Sequence, residues 1–316
     1  MGSLLLYFTV EQAPALRRAE ALGLPAAAIE RHRFPDDELR LRLPFGAGQA
    51  IPRQVLLYRS LDRPNDKLVE LLLVAGEARA LGVQRLLLVA PYLAYMRQDI
   101  AFHPGEVVSQ TIVGNFIAQH FEGLVTVDPH LHRIERLQQA VPLGEAAIAL
   151  SGAPMLAQLI AEQRQQPLLL GPDAESAQWI EAAAAAFNFD QGVCHKVRSG
   201  DRQVSIELPA LDFRGRQVVL LDDVASSGRT LAGAASQLLA AGAASVDVAV
   251  THALFAGDAL AVIKAAGVTF VLLAALNREA RRRGMFEGRE QPDIRQWLDL
   301  AAMGAICDVT GLTGFN

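Results

Sequence analysis

The sequence predicts an α/β protein of two successive domains, each a parallel sheet flanked by helices. Three observations predict it. Short apolar runs alternate with Ala- and Leu-rich segments of helical spacing, the βαβ rhythm of a parallel sheet. The rhythm runs from residue 3 to Val127 and restarts near residue 153. In both halves polar residues collect just after the apolar runs, the edge at which open α/β sheets bind ligands. The chain has 316 residues, enough for two ordinary domains. The restart sets them at 1–146 and 147–316.

In chain order, residues 3–8 read as a strand and Ala13 to Leu22 as a helix. A polar segment, Phe34-Pro35-Asp36-Asp37-Glu38, precedes the alternating run Leu39 to Leu43. Val55 to Tyr58 is a strand, and Arg63-Pro64-Asn65-Asp66 opens a helix with proline near its start. Leu86 to Ala90 is a buried strand that runs into Pro91-Tyr92-Leu93-Ala94-Tyr95-Met96-Arg97-Gln98-Asp99. A loop over 100–107, a helix from Val108 to His120 and a strand from Leu124 to Val127 follow. The last ends in Asp128-Pro129-His130.

The second half opens with a helix over 153–164 and a strand from Pro167 to Leu170, ended by Gly171-Pro172-Asp173. A helix from Ser176 to Ala186 precedes two runs, Val193 to Arg198 and Val204 to Leu208, that read as a hairpin. Strands at Val218 to Leu221 and Val246 to Thr251 follow, then a helix and strand within 258–275. The repeated layout suggests an old duplication.

Composition narrows the function. The chain is 51% hydrophobic and 20% charged, with net charge −5 and no basic block. That argues against a nucleic-acid surface. Its two cysteines, Cys194 and Cys307, lie far apart without metal-ligand spacing, which fits a reducing compartment. The first residues lack the basic segment of a signal peptide, and no apolar run approaches a membrane span. A cytoplasmic location is expected.

The most informative stretch is residues 215–231. Val218 to Leu221 reads as a strand buried on both faces and ends on Asp222 and Asp223. The small-residue loop Ala225-Ser226-Ser227-Gly228 comes next, then a helix from Thr230 to Ala241 that stops at Gly242. Inward backbone N–H groups, a helix N-terminus and hydroxyl donors suit a phosphate monoester. The two carboxylates can accept hydrogen bonds from vicinal sugar hydroxyls, or hold a metal through water. A sugar phosphate is therefore the expected ligand. The competing reading of this stretch alone is an ordinary strand–turn–helix with a solvated acidic turn, since Asp caps helices well. No GxxxxGK[ST] loop occurs in the chain.

The stretch VVLLDDVASSGRT resembles the phosphoribosyl-binding motif of the type I phosphoribosyltransferase fold. With the upstream motifs, the chain resembles the ribose-phosphate pyrophosphokinases, or PRPP synthetases, over roughly residues 30–255. The resemblance implies two similar phosphoribosyltransferase-like domains, an ATP side in the first and a ribose-phosphate side in the second. Phe34, Asp36 and Glu38 match a segment whose ring stacks on adenine and whose acids contact its edge. Asp37 stands where that family usually has glycine. Pro91 to Asp99 resembles the highly specific Pro-Tyr-x-x-Tyr-x-Arg-Gln-Asp, so Arg97, Gln98 and Asp99 are implied ATP contacts, Arg97 through a bidentate fork. Ser109 matches a serine that starts the next helix.

By the same resemblance, His130 is the family's magnesium-associated histidine near the phosphates, with His132 a weaker second candidate. Asp173 of Gly171-Pro172-Asp173-Ala174 is the implied second Mg²⁺ ligand, and Glu175 replaces a family glycine. Lys196 and Arg198 match the catalytic pair of a mobile hairpin. On a strand, residues i and i+2 share a face, so both cations can point at one site. Read alone they are equally a basic edge strand. Asp222 and Asp223 would orient ribose hydroxyls, and Ser226, Ser227, Gly228, Arg229 and Thr230 would hold the 5-phosphate. That loop is closer to the archaeal-type enzymes than to the common bacterial type, with Arg229 in place of glycine. The basic run from Asn277 and the tail to residue 316 match nothing.

The implied reaction transfers the pyrophosphoryl group of ATP to ribose 5-phosphate with Mg²⁺, giving PRPP and AMP, in a homodimer or larger homo-oligomer. Three rivals remain open at this stage. One is a phosphoribosyltransferase that consumes PRPP. Another is a phosphotransferase acting on a different ribose phosphate such as AMP. The third is a catalytically inactive regulatory homologue.

Overall fold

The structure, a computed structural model, describes residues 2–46, 48–199 and 203–272. The unassigned tail from 277 and the hairpin tip at 200–202 lie outside the described residues. The chain divides into two compact units, Met1–Leu150 and the part that begins at Ser151.

The first unit contains β1 (Ser3–Phe8), α1 (Gln12–Ala21), β2 (Ala26–Arg33), β3 (Leu39–Arg42), β4 (Gln54–Tyr58), α2 (Pro64–Ala80) and β5 (Arg85–Val89). It continues with α3 (Ser109–His120), β6 (Gly123–Val127), the short α4 (Leu137–Ala140) and β7 (Ala147–Leu150). Its strands form one sheet in the order β3-β2-β1-β4-β5-β6-β7. All neighbours are parallel except the antiparallel pair β2–β3. β7 lies beyond the expected boundary at 146, yet it pairs with β6 and so belongs to this unit.

The second unit contains α5 (Ala153–Gln163), β8 (Leu168–Gly171), α6 (Ala177–Phe187), β9 (Asp190–Val193), β10 (His195–Ser199), β11 (Gln203–Glu207), β12 (Gln217–Ala225), α7 (Arg229–Ala240), β13 (Ser245–Ala253), α8 (Ala259–Ala265) and β14 (Phe270–Leu272). The sheet order is β14-β13-β12-β8-β9, all parallel. β10 and β11 form a separate antiparallel ribbon.

The two sheets share a topology. In the first unit the chain runs from β1 outward to β2, then returns to the other side of β1 with β4, β5 and β6. In the second it runs from β8 to β9, then returns to the other side of β8 with β12, β13 and β14. The β10–β11 ribbon occupies the chain position of β3, between the outward strand and the return. Each sheet therefore has one switch point, between β1 and β4 and between β8 and β12. Open α/β sheets bind ligands in the crevice at such points.

Apolar burial explains the strands that are easiest to read. Leu4 to Phe8 of β1 are buried, as are Val218 to Leu221 of β12, which carry side chains to both faces of the sheet. Core residues Leu168, Leu170, Val218 and Leu220 pack on one side of the second sheet, and Leu169, Val219 and Leu221 on the other. Three strands were not foreseen: β7, which falls at the expected domain boundary, and two others. β2 is an Ala-rich and then polar segment whose last four residues are exposed, and β9 carries a glycine and two polar residues. Both are held by parallel pairing to a buried neighbour rather than by their own pattern. The expected run at 193–198 is accordingly split between β9 and β10.

A buried ion network fixes the switch-point end of the first sheet. Arg59, just after β4, donates from Nη1 to Glu11 at 3.0 Å and from Nη2 to Glu70 of α2. The Ser60 N–H also donates to Glu11, at 2.9 Å. The Arg59 guanidinium lies 4.4 Å over the Phe8 ring. All three charged side chains are buried. Desolvation raises the Glu11 carboxyl above its usual value, and the Arg59 and Lys67 charges partly offset it.

Candidate active site

In the second unit, β12 runs past the acidic pair. The expectation that the strand stops at Leu221 is corrected here, because the ladder with β13 continues to Ala225 opposite Ala253. Asp222 and Asp223 thus sit within a strand at the switch point rather than on a solvated turn. Asp223 is 2% exposed and Asp222 partly buried. Asp222 Oδ1 accepts the Asp223 N–H at 3.0 Å. Desolvation, then the charges of Asp223 and Asp173, holds the Asp222 carboxyl well above the usual carboxylate range.

Asp173 follows β8, the neighbour of β12. Its side chain is buried, and Oδ1 accepts the Glu175 N–H at 3.1 Å. Asp173, Asp222 and Asp223 therefore belong to one electrostatic cluster at the switch point. Carboxylate oxygens are the donors that Mg²⁺ selects, so this set fits the ion. Cys194, also buried, has its thiol pushed up to about 11 by burial and then by Asp173. It is not a thiolate nucleophile.

Ser226, Ser227 and Gly228 form the loop between β12 and α7. Gly228 caps α7 at φ 69°, in the left-handed region. A Cβ there would lie 2.8 Å from the Ile263 side chain and 2.9 Å from the Ala259 carbonyl oxygen. Both the dihedral and the close approach of α8 require glycine. The Ser226 carbonyl accepts the Ala256 N–H at 2.9 Å, which pins the loop to the segment after β13. Ser227 and Arg229 are exposed and Thr230 partly so, leaving hydroxyls and a guanidinium around a helix N-terminus. That arrangement binds anions. Thr251 and His252 end β13 at the same edge, both buried. Their sequence signal is that of the acidic pair, polar residues closing an apolar run.

Lys196 and Arg198 lie in β10, with Cα partners Ile206 and Val204 in β11. Their backbone forms the hairpin the sequence predicts.

In the first unit, four strand-end loops each hold a non-glycine residue with positive φ: Asp37, Arg63, Tyr95 and Asp128. Such strain persists where the surroundings impose it and clusters at ligand sites. Asp37, at φ 71°, supplies the turn that the family takes from glycine, and its Oδ1 accepts from Arg33 Nη1 at 3.0 Å. Aspartate tolerates this region better than most residues. The turn sets Phe34, Asp36 and Glu38 exposed at the β2–β3 tip. The Phe34 ring meets His32 edge-on at 4.8 Å.

Two side chains at the start of α2 brace neighbouring loops. Asp66 pairs with Arg33 of β2, and Asn65 accepts from the Tyr95 hydroxyl. Arg97 is exposed. Gln98 Nε2 donates to the Ile100 carbonyl at 3.2 Å and to Glu106 at 3.1 Å. Asp99 is different, for its side chain is buried against Arg133 at 2.6 Å. After β6, the His130 and His132 rings meet nearly perpendicular, centroids 3.6 Å apart, with the two Nε2 atoms in hydrogen-bond contact. One nitrogen must donate and the other accept.

Two family models match successive parts of the chain. Residues 5–120 match the N-terminal domain of ribose phosphate pyrophosphokinase, and residues 145–269 match the phosphoribosyl transferase domain. The ribose-phosphate pyrophosphokinase of Methanopyrus kandleri is 32% identical over 255 residues, covering 79% of this chain and 84% of that protein. The Saccharolobus solfataricus enzyme of the same name matches with the same identity and coverage. That of Granulibacter bethesdensis is 30% identical over 81% of each chain. The crystal structure of phosphoribosylpyrophosphate synthetase from Mycobacterium smegmatis, 20% identical, shares the fold with a TM-score of 0.73 over 91% of this chain and 100% of that one. From this similarity along both halves, the chain belongs to the ribose-phosphate pyrophosphokinase family.

Proposed function

We propose that the chain transfers the β,γ-pyrophosphoryl group of ATP to the anomeric hydroxyl of ribose 5-phosphate, giving PRPP and AMP. The observation that carries this reading is the β12–α7 segment together with the upstream strand-end motifs of Arg97, His130 and Asp173, because a phosphoribosyltransferase that consumes PRPP accounts for the first alone. The β12–α7 segment sets two carboxylates at a switch point directly before a short loop whose Gly228 has positive φ and close neighbours. Vicinal hydroxyls and a phosphate on one small sugar ask for those two features side by side.

In the reaction the anomeric oxygen attacks the β-phosphorus. The bond from the bridging oxygen to that phosphorus breaks, AMP leaves with the oxygen, and the hydroxyl proton is released. Such transfers depend on in-line positioning and cancellation of charge more than on covalent help. Ser226 to Thr230 hold the 5-phosphate, with Arg229 adding a cation that the family's glycine lacks. Asp222 and Asp223 orient the 2- and 3-hydroxyls. Arg97 grips the triphosphate, Gln98 and its neighbours shape that loop, and Phe34, Asp36 and Glu38 receive the adenine. Lys196 and Arg198 close over the transferring group. Asp173 and His130 are the residues that would hold Mg²⁺, which would supply charge neutralisation.

The exposed position of the Phe34 turn suits a nucleotide site completed by a second copy of the chain, in a homodimer or larger homo-oligomer. Among the described residues no helix is long and apolar enough to cross a membrane. The test is an assay with ATP, Mg²⁺ and a panel of ribose phosphates, nucleotide products resolved by chromatography. AMP formed only with ribose 5-phosphate supports the reading; ADP as product overturns it.

A further inference from the structure

The residue that departs most from its expected role is Asp99. Its neighbours Arg97 and Gln98 stand at the surface of the loop, but its own side chain is 2% exposed. Oδ1 accepts from Arg133 Nη1 at 2.6 Å. Oδ2 is buried and has no hydrogen-bond partner among the described residues. A carboxylate in that position cannot reach a nucleotide without leaving Arg133. A half-satisfied buried charge is also costly, so packing alone gives no reason to keep it.

What the pair joins is informative. Asp99 lies two residues after Arg97, in a segment anchored to α3. The Gln110 N–H donates to the Gln98 carbonyl, and Gln110 Nε2 donates to the Met96 carbonyl, both at 3.1 Å. Arg133 lies three residues after His130, in a stretch without regular secondary structure. Its guanidinium also sits 5.9 Å over the Phe102 ring. Asp99 is thus a fixed post, and Arg133 ties the histidine turn to it.

We propose that Asp99 is a positioning residue: acting through Arg133, it sets the His130–His132 turn against the Arg97 segment so that Arg97 and His130 engage one triphosphate together. The proposal rests on the ATP reading given above for Arg97 and His130.

The test is calorimetric binding of a non-hydrolysable ATP analogue, with Mg²⁺, to full-length wild type and to Asp99→Asn, Arg133→Met, Arg133→Lys and the Asp99→Asn/Arg133→Met double variant. Thermal melts run alongside. Asp99→Asn and Arg133→Met should each weaken binding about tenfold, a scale seen when a residue orienting a ligating side chain is lost. Arg133→Lys should recover most of that loss. The double variant should be no weaker than either single, because both changes cut one connection. Melting temperatures should not follow the binding losses. Additive losses would mean that Asp99 acts on the nucleotide by another route, and wild-type affinity in Arg133→Met would mean that the pair positions nothing. Either result overturns the proposal. Should Asp99→Asn fail to fold, the half-exposed Arg133 variants decide alone. If wild type does not bind the analogue, the ATP reading itself falls; if wild type binds and the variants match it, only the positioning role falls.

Discussion

Asp222 is a residue whose electrostatic cost and proposed use point in opposite directions. Its folded carboxyl holds a proton above the ordinary value of 3.8. Between that value and its raised folded one, the native state binds more protons than the unfolded chain. Stability therefore falls as pH rises through that window. Asp222→Asn removes this loss and keeps an acceptor for the Asp223 N–H. Without substrate or divalent cation, the variant should melt roughly 2 °C or more above wild type at pH 7, the shift that about 1 kcal/mol produces in a unit of this size. The gap should close toward pH 4, where the wild-type group is protonated too. Ribose 5-phosphate binding should weaken about tenfold, since charge-assisted hydrogen bonds are the stronger kind. A variant no more stable than wild type at pH 7 would show that the acidic cluster is relieved by other means. Lys196 carries a second expectation. If it acts mainly on the transferring group, Lys196→Ala should lower kcat and kcat/KM together, by about 10²-fold or more, with little change in the affinity for ribose 5-phosphate. An unchanged kcat would reduce the hairpin to a basic edge. The positions of single residues were legible in the sequence where the pattern is local. The strand-end motifs put Arg97, His130 and Asp173 beyond β5, β6 and β8, where the structure has them. Asp99 was not legible, because its partner Arg133 is 34 positions away and burial is a property of the fold.

Among elements, the β12–α7 segment carries the proposed sugar-phosphate site, and Gly228 shapes the segment. A side chain there must adopt φ near 69° and also displace Ile263 or the Ala259 carbonyl. Gly228→Ala should cost about 1–3 kcal/mol from backbone strain, with a lower melting temperature and loss of ribose 5-phosphate affinity. Binding intact in a destabilised variant would separate the loop's shape from its ligand. The end of β12 shows where sequence patterns stop being informative. A run of apolar residues marks Val218 to Leu221, but what carries the strand on to Ala225 is the ladder with β13, a long-range pairing. β2 and β9 escaped for the same reason, since an Ala-rich or polar strand beside a buried one borrows its order from the neighbour.

At the scale of the whole molecule, the two units repeat one topology with different outcomes at the switch point. Where α7 begins behind Gly228 with hydroxyls around it, α2 begins behind Arg63, at φ 48°, with Pro64 lacking an N–H. Lys67 of α2 fills that loop itself, donating to the Ser60 carbonyl at 2.8 Å and to Asp62 at 2.6 Å. Under the proposed function, the second unit carries the sugar-phosphate loop and the first the turns of the ATP side. The rhythm of strands and helices made the duplication readable, but the shared strand order needed the structure. If both terminal phosphoryl groups move as a unit onto the sugar, ATP labelled at the β-phosphorus will show it when supplied with ribose 5-phosphate and Mg²⁺. The label should leave the nucleotide and appear in the sugar product, with one unlabelled AMP formed for each. Label retained in the nucleotide, as ADP, would contradict the account.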